Sequence, residues 1–236
     1  MYMMSLVNVV KRYPSQRAGN EALRGVTLRI DQGERVALLG PNGAGKSTLI
    51  NIITSLLAPT SGTVSMRAER LGFASTGFGL NDAMNVGDFL DFYGAIQGMN
   101  RRSIRRAKRR LARAFGFERY MTSRIGALST GNRQKVALAR AMMHAPDLLI
   151  LDEPMNGLDL LVSQEVRAAV ALEQQRGCTT LICSHLVEDL RLCDRVIVVN
   201  GGRIVGDEPV GTAFDGTSDP YEYFRNVMRR QADHHA

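Results

Sequence analysis

The sequence predicts an α/β fold. Three short apolar runs, 35–39 (RVALL), 148–151 (LLIL) and 179–183 (TTLIC), each end in glycine or polar residues, and stretches with apolar residues at helical spacing lie around them. In open α/β sheets a ligand sits beyond the carboxyl ends of parallel strands, so three strands that finish in this way point to one shared site.

Taken in order, the run 35–39 is a strand that feeds the glycine-rich turn 40–45, and 49–57 continues as a helix with a strongly apolar face. From about residue 79 to 145 the pattern is mostly helical, which reads as a helical insert in an α/β core. Within it 86–97 is apolar and aromatic, 101–110 is Arg-rich, and 132–143 is a further helix. The helix 86–97 carries Phe89, Leu90, Phe92, Tyr93 and Ile96, more apolar surface than one buried face requires. Pro146 precedes the strand 148–151, which runs into Asp152 and Glu153, and the strand 179–183 ends at Ser184 and His185. Residues 195–199 and 203–206 flank Asn200-Gly201-Gly202 and form a β-hairpin. Beyond 211 the chain is polar and short, and disorder is expected at its end, 233–236.

Composition excludes whole classes of protein. With 236 residues, 44% of them hydrophobic, the chain can bury a large core, which rules out intrinsic disorder and fibrous repeats. Lys and Arg outnumber Asp and Glu by 30 to 23, yet the segment 101–110 (RRSIRRAKRR) alone holds seven basic residues and no acid. Without it the balance is 23 to 23, so the basic charge is one local patch and the chain need not bind polyanions generally. Three readings of that patch stay open: a solvated helix face, a surface near anionic lipid, and a nucleic-acid contact. Cys178, Cys183 and Cys193 are odd in number and lack a CxxC spacing, which suits a reducing compartment and packing roles. The amino terminus does not read as a signal peptide, and no run of eighteen apolar residues occurs. The expectation is a soluble protein able to sit on a membrane protein.

The chemistry concentrates in 40–48, GPNGAGKST, which matches GxxxxGK[ST] between a strand and a helix. In such a loop the glycines (Gly40, Gly43, Gly45) with Asn42 and Ala44 let backbone N–H groups close around phosphate oxygens. The helix start adds its positive dipole end, Lys46 reaches the β and γ phosphates, and Ser47, followed by Thr48, can ligate Mg²⁺. A chance match in a chain this long is about one in a hundred. At the end of the strand 148–151, Asp152 is placed to hold Mg²⁺ and Glu153 to act as general base on the attacking water.

Downstream of the glycine-rich loop and 18 residues before the strand-end segment 150–154, Leu128-Ser129-Thr130-Gly131-Asn132 resembles the signature loop of ATP-binding cassette (ABC) ATPases. Together with 40–48, Asp152-Glu153, Gly157-Leu158-Asp159 and His185, the resemblance spans residues 1–210. It implies an ABC-type P-loop ATPase core with an antiparallel β subdomain and a helical insert over 79–145, followed by a short tail, 211–236. It implies ATP and Mg²⁺ as cofactors and ATP hydrolysis with Glu153, His185 and Lys46 as catalytic residues. Tyr13 resembles the aromatic residue that stacks on adenine, although a lone tyrosine is more often half-buried structure. Ser129 and Gly131 would begin the helix that runs to Met143 and face a phosphate held by a second copy, in a head-to-tail dimer. Asp159 resembles the acid of a loop that crosses that dimer interface, or is an ordinary turn. His144, before Ala145-Pro146, is read as structural.

One departure stands out. The family usually carries a glutamine after the strand near 70–74, and Thr76 occupies that place here; its hydroxyl lacks the longer amide reach. The implied partners are integral membrane permease subunits, at the cytoplasmic face of the cell or inner membrane, with no direct cargo contact required. The likeness of 128–142 to exporter cassettes favours export, and the Gly-Phe-rich stretch 71–79 is similar to cassettes that export polysaccharides or lipid-linked glycans. Nucleic acid is not an expected partner. The alternative is a soluble ABC-type ATPase acting on ribosomes or nucleic acid through the basic patch. A nucleotide kinase or GTPase would leave Ser129, Gly131 and His185 without purpose.

Overall fold

A computed structural model of the chain describes residues 1–14, 21–75, 79–184, 187–190, 192–213 and 220–233. In chain order the elements are β1 (Tyr2–Arg12), β2 (Glu21–Asp31), β3 (Arg35–Leu39), α1 (Lys46–Ile53), β4 (Ser61–Met66), β5 (Leu71–Ser75), α2 (Val86–Ile96), α3 (Arg101–Ala114) and α4 (Thr130–Met142). There follow β6 (Leu148–Asp152), α5 (Leu160–Gln175), β7 (Thr179–Cys183), α6 (Val187–Leu190), β8 (Arg195–Asn200), β9 (Arg203–Pro209), α7 (Val210–Ala213) and α8 (Pro220–Asp233). They form two compact units, Met1–Arg67 with Thr179–Ala236, and Ala68–Cys178.

The first unit holds an antiparallel sheet in the order β2-β1-β4 and the strands β7-β3-β8-β9. In β2 the alternation of Val26, Leu28 and Ile30 with Thr27 and Arg29 buries one face and leaves the other to solvent. Strand β3 lies parallel to both β7 and β8, with Ala37 opposite Ile182 on one side and Val196 on the other. Every residue of β7 is buried, and so are Val196 to Val199 of β8, as continuous apolar runs in parallel sheets require. The hairpin β8–β9 forms as the sequence predicts. Helix α1 begins at Lys46, three residues before the apolar stretch, and ends at Ile53 instead of 57. Ser55 takes a positive φ of 59° and Leu56 turns out to solvent, so the apolar run outlasts the helix. After residue 211 the chain does more than trail away: α8 buries Tyr223 and Val227, one turn apart, on the unit's β-strands.

In the second unit β5 pairs in parallel with β6, Phe73 opposite Ile150. The helices expected between 79 and 145 are α2, α3 and α4. Helix α4 is buried from Gln134 to Met142, polar residues included. It lies so close to β5 that a Cβ at Gly72 would stand 2.4 Å from the carbonyl oxygen of Ala141. Helix α3 turns Ile104, Ala107, Leu111 and Ala112 inward, and its amino end is capped by Asn100, whose side chain accepts from the Ser103 N–H at 2.9 Å. The mixed α/β architecture, with an antiparallel β subdomain and helices grouped together, is the fold class that the sequence predicts.

Candidate functional site

The loop between β3 and α1 is shaped by two glycines that approach other backbone too closely for any side chain. A Cβ at Gly40 would lie 2.2 Å from Val199 O, and one at Gly45, where φ is 109°, 2.6 Å from Ala22 O. The Gly202 N–H donates to Ala44 O and the Arg24 N–H to Gly202 O, which ties the loop to the β8–β9 turn and to β2. Asn42 and Gly43 remain exposed at its crest. The Lys46 ammonium donates to the carbonyls of Gly40 (2.6 Å) and Pro41 (3.0 Å), so the cation sits inside the loop instead of extending into solvent. Ser47 is exposed in the first turn of α1.

Tyr13 belongs to the same cluster, as its hydroxyl lies 3.2 Å from Thr48 Oγ1 and its ring lies under the Lys11 ammonium at 5.6 Å. Tyr13 and residues 40–48 therefore form one constellation within the first unit. On the same unit Ser184 donates to Asp189 at 2.6 Å, both buried, and the following residue, His185, lies outside the described residues. Thr76, with 77 and 78, lies outside them too.

In the second unit Asp152 ends β6 opposite Ser75, and Glu153 follows with a φ of 51°, a left-handed backbone that a non-glycine residue adopts at a cost. Ser129 is the N-cap of α4, its Oγ accepting from the N–H of Asn132 (3.4 Å) and from the Asn132 amide (3.1 Å). A Cβ on Gly131 would meet Val162 and Leu158 at 3.5 to 3.8 Å, so the start of α4 lies against the start of α5. Gln134, further along α4, donates to Pro154 O at 3.3 Å and ties the helix to the loop behind Glu153. Asp159 caps α5, accepting from Val162 N–H at 2.8 Å, which gives it a local structural role. His144 is buried with Nε2 3.2 Å from Leu71 O, and burial holds its pKa below the usual histidine value.

Two positioning residues escape a reading by motif alone. Gln134 is one. Arg140 is the other: buried in α4, it donates to Phe73 O at 2.9 Å and lies 5.3 Å from the Tyr93 ring, where burial lowers its pKa. A side chain at Gly79 would collide with its guanidinium. The signal in the sequence is the presence of polar and charged residues on a helix whose apolar residues spread over every face.

Among the described residues no group of three or more His, Cys, Asp or Glu could hold a metal, so no all-protein cage is formed. A Ser hydroxyl and an Asp carboxylate are hard oxygen donors, a set that suits Mg²⁺, which keeps waters and substrate phosphates as its other ligands.

Residues 23–156 match the family model described as "ABC transporter". The chain belongs to this family. It is 38% identical over 216 residues to the ABC transporter ATP-binding protein NatA of Bacillus subtilis, covering 86% of this chain and 88% of that protein. It is 40% identical over 195 residues to the thiamine import ATP-binding protein ThiQ of Salmonella choleraesuis, covering 75% and 81% of the two chains. Among solved structures, an ATP-binding subunit of an ABC transporter superposes with a TM-score of 0.85 at 27% identity, over 96% of this chain and 99% of that one. A dimeric ATP-binding cassette bound to ADP and Pi gives 0.81 at 26%, over 88% and 99%.

As an ABC ATPase the chain binds ATP and couples its hydrolysis to transport, as the ATP-binding subunit of a transporter. The soluble ATPase working on ribosomes or nucleic acid is the less favoured reading. No helix of the described residues is long and apolar enough to cross a membrane. Association with the membrane subunits of a transporter is what the family implies.

Proposed function

We propose that two copies of this chain close head to tail over two ATP molecules and drive an exporter through separately encoded permease subunits, at the cytoplasmic face of the membrane. The observation that carries the reading is the pair of anion-receptive helix starts in one chain, the glycine loop before α1 and the Ser129-capped start of α4. A single nucleotide needs one such phosphate loop. The second is accounted for if it closes on ATP held by the other copy, an arrangement in line with the dimeric cassettes to which the chain is similar.

In this reading the backbone of Gly40 to Gly45 surrounds the phosphates, Lys46 neutralises the β and γ oxygens, and Thr48 and Tyr13 flank the nucleotide, Tyr13 on adenine. Ser47 and Asp152 would hold Mg²⁺, whose charge would offset that of the phosphates. Glu153 takes the proton of the attacking water, Ser129 and Gly131 hold the partner copy's γ-phosphate, and His185 reports γ-phosphate occupancy. The helical subdomain, about 79–145, receives the permease through the exposed Phe92 and Ile96 of α2. The core cassette is residues 1–210. Export, with a polysaccharide or lipid-linked glycan as cargo, rests on the likeness of 128–142 and 71–79 to such cassettes; the relatives include both NatA and the importer subunit ThiQ.

Glu153→Gln tests the reading directly. General bases contribute about 10²- to 10⁴-fold, so turnover should fall by that order while ATP binding persists, and the ATP-loaded variant should elute as a dimer in gel filtration. Hydrolysis at the wild-type rate would remove Glu153 from the mechanism, and a monomer with ATP bound would remove the head-to-tail arrangement. Co-purification of the tagged variant with a permease from mild detergent identifies the cargo class through the permease; a glycan exporter is expected, and an import permease would overturn the direction.

A further inference from the structure

The Arg-rich run that dominates the charge balance folds as α3, and nothing in the nucleotide chemistry uses it. Arg101, Arg102, Arg105, Arg106 and Arg109 recur at i, i+1, i+4, i+5 and i+8, which gathers them on a helical face about 140° wide. All five are exposed and have no acidic partner among the described residues, whereas Lys108 pairs with Asp91, Arg110 with Glu173 and Arg113 with Glu118.

A groove of 620 Å³ lies between α3 and α5, inside the second unit. Arg106, Arg109, Arg110 and Arg113 line one side, and Leu172 and Arg176 line the other. Leu172 is 48% exposed, an apolar side chain facing a row of guanidiniums. The buried Glu173 carboxylate also belongs to this lining. It is held by Arg110 and lies 3.7 Å from Arg176, so the groove already binds one carboxylate between two arginines.

We propose that this groove docks an acidic amphipathic segment of a partner protein, with its carboxylates on Arg106 and Arg109 and an apolar side chain against Leu172. The planar guanidinium fork matches a carboxylate in two-point contact, and the chain's own Glu173 is bound by the same chemistry. A bilayer surface fits less well. Ile104, Ala107, Leu111 and Ala112 of α3 are buried and only the small Ala114 is half-buried, so the helix has no broad apolar side to insert among lipids, and a planar surface does not fill a concave groove. Single-stranded nucleic acid is usually held by aromatic stacking, and no aromatic residue lines the groove.

The test uses the full chain and a fluorescein-labelled helical peptide with glutamates one turn apart and leucines between them, followed by anisotropy. Binding is expected, at least tenfold tighter than that of a peptide of equal charge with glycine for leucine. Arg106→Glu combined with Arg109→Glu should weaken it about 10- to 100-fold, the range for lost charge-assisted hydrogen bonds, with ATP turnover unchanged. Arg106→Gln with Arg109→Gln should weaken it to a lesser degree, and its circular dichroism should match that of the wild type. Equal affinity for the two peptides, or undiminished affinity in both double variants, would overturn the proposal. So would tighter binding to phosphatidylglycerol vesicles or to a single-stranded oligonucleotide that the same substitutions abolish.

Discussion

Lys46 donates two of its three ammonium N–H groups to loop carbonyls, those of Gly40 and Pro41, and this is the local reason for a lysine at the end of a glycine loop. The alkyl stem spans the loop and the charge is held at the carbonyls of Gly40 and Pro41, so in the proposed reading an entering phosphate meets a cation already in position. Lys46→Ala should lower ATP affinity by about 10- to 100-fold, the cost of a lost charge-assisted hydrogen bond, as measured by calorimetry. An affinity equal to that of the wild type would count against the phosphate-loop assignment. The same scale shows what a sequence can and cannot reveal. Gly40 and Gly45 were legible because the motif demands glycine, and their close approaches to Val199 O and Ala22 O explain why. The left-handed backbone of Glu153 was not legible, because it is imposed by the turn out of β6 and leaves no mark on residue type.

At the scale of elements, two helices start with the same device and have different assignments. Asn100 caps α3 and Ser129 caps α4, each accepting from an N–H three residues on. Replacement of either by alanine should cost about 1 kcal/mol of stability, measured by urea unfolding. The two should then part: Asn100→Ala should keep its ATP turnover, whereas Ser129→Ala should lose most of it while ATP binding remains. Equal turnover in both would reduce Ser129 to a structural cap. Buried strands were legible as apolar runs, since β3, β6, β7 and β8 need no polar face. The strands β1, β2 and β4 were not singled out, since a sheet wetted on one side mixes Arg, Thr and Ser with its apolar residues and its alternation is broken by irregularities such as the one at Asn8, φ 50°. Helix α8 was missed for a related reason: among its described side chains Tyr223 and Val227 are the buried ones, in a helix otherwise rich in charge.

The molecule as a whole carries its ionisable groups in ways that fix how its stability responds to pH. Cys178 and Cys193 are pushed up to about 12 by burial, so these thiols are neutral and unreactive over the physiological range, as the sequence reading of packing cysteines expects. The Arg70 guanidinium holds the Asp147 carboxyl below its usual range, so the stability this pair provides is present above a pH of about 4 and is lost only as the medium becomes more acid. His144 acts at higher pH. Burial is the main cause that lowers its pKa; nearby Arg70 lowers it further, while Asp147 and the Leu71 carbonyl oppose the shift. Near neutral pH the imidazole is uncharged in both the folded and the unfolded chain and contributes nothing to the pH dependence. As pH falls through the ordinary histidine value of 6.5, the unfolded chain takes up a proton that the folded chain resists, so stability declines from there toward the lower folded pKa. Thermal unfolding should therefore show a plateau above about pH 7 and a fall in Tm between pH 6.5 and the carboxylate range. His144→Gln, which retains a donor for the Leu71 carbonyl, should extend the plateau down to that range. If the variant and the wild type decline in parallel from pH 7 downward, the proton is taken up elsewhere and His144 is not the group that sets the acid limit of the fold.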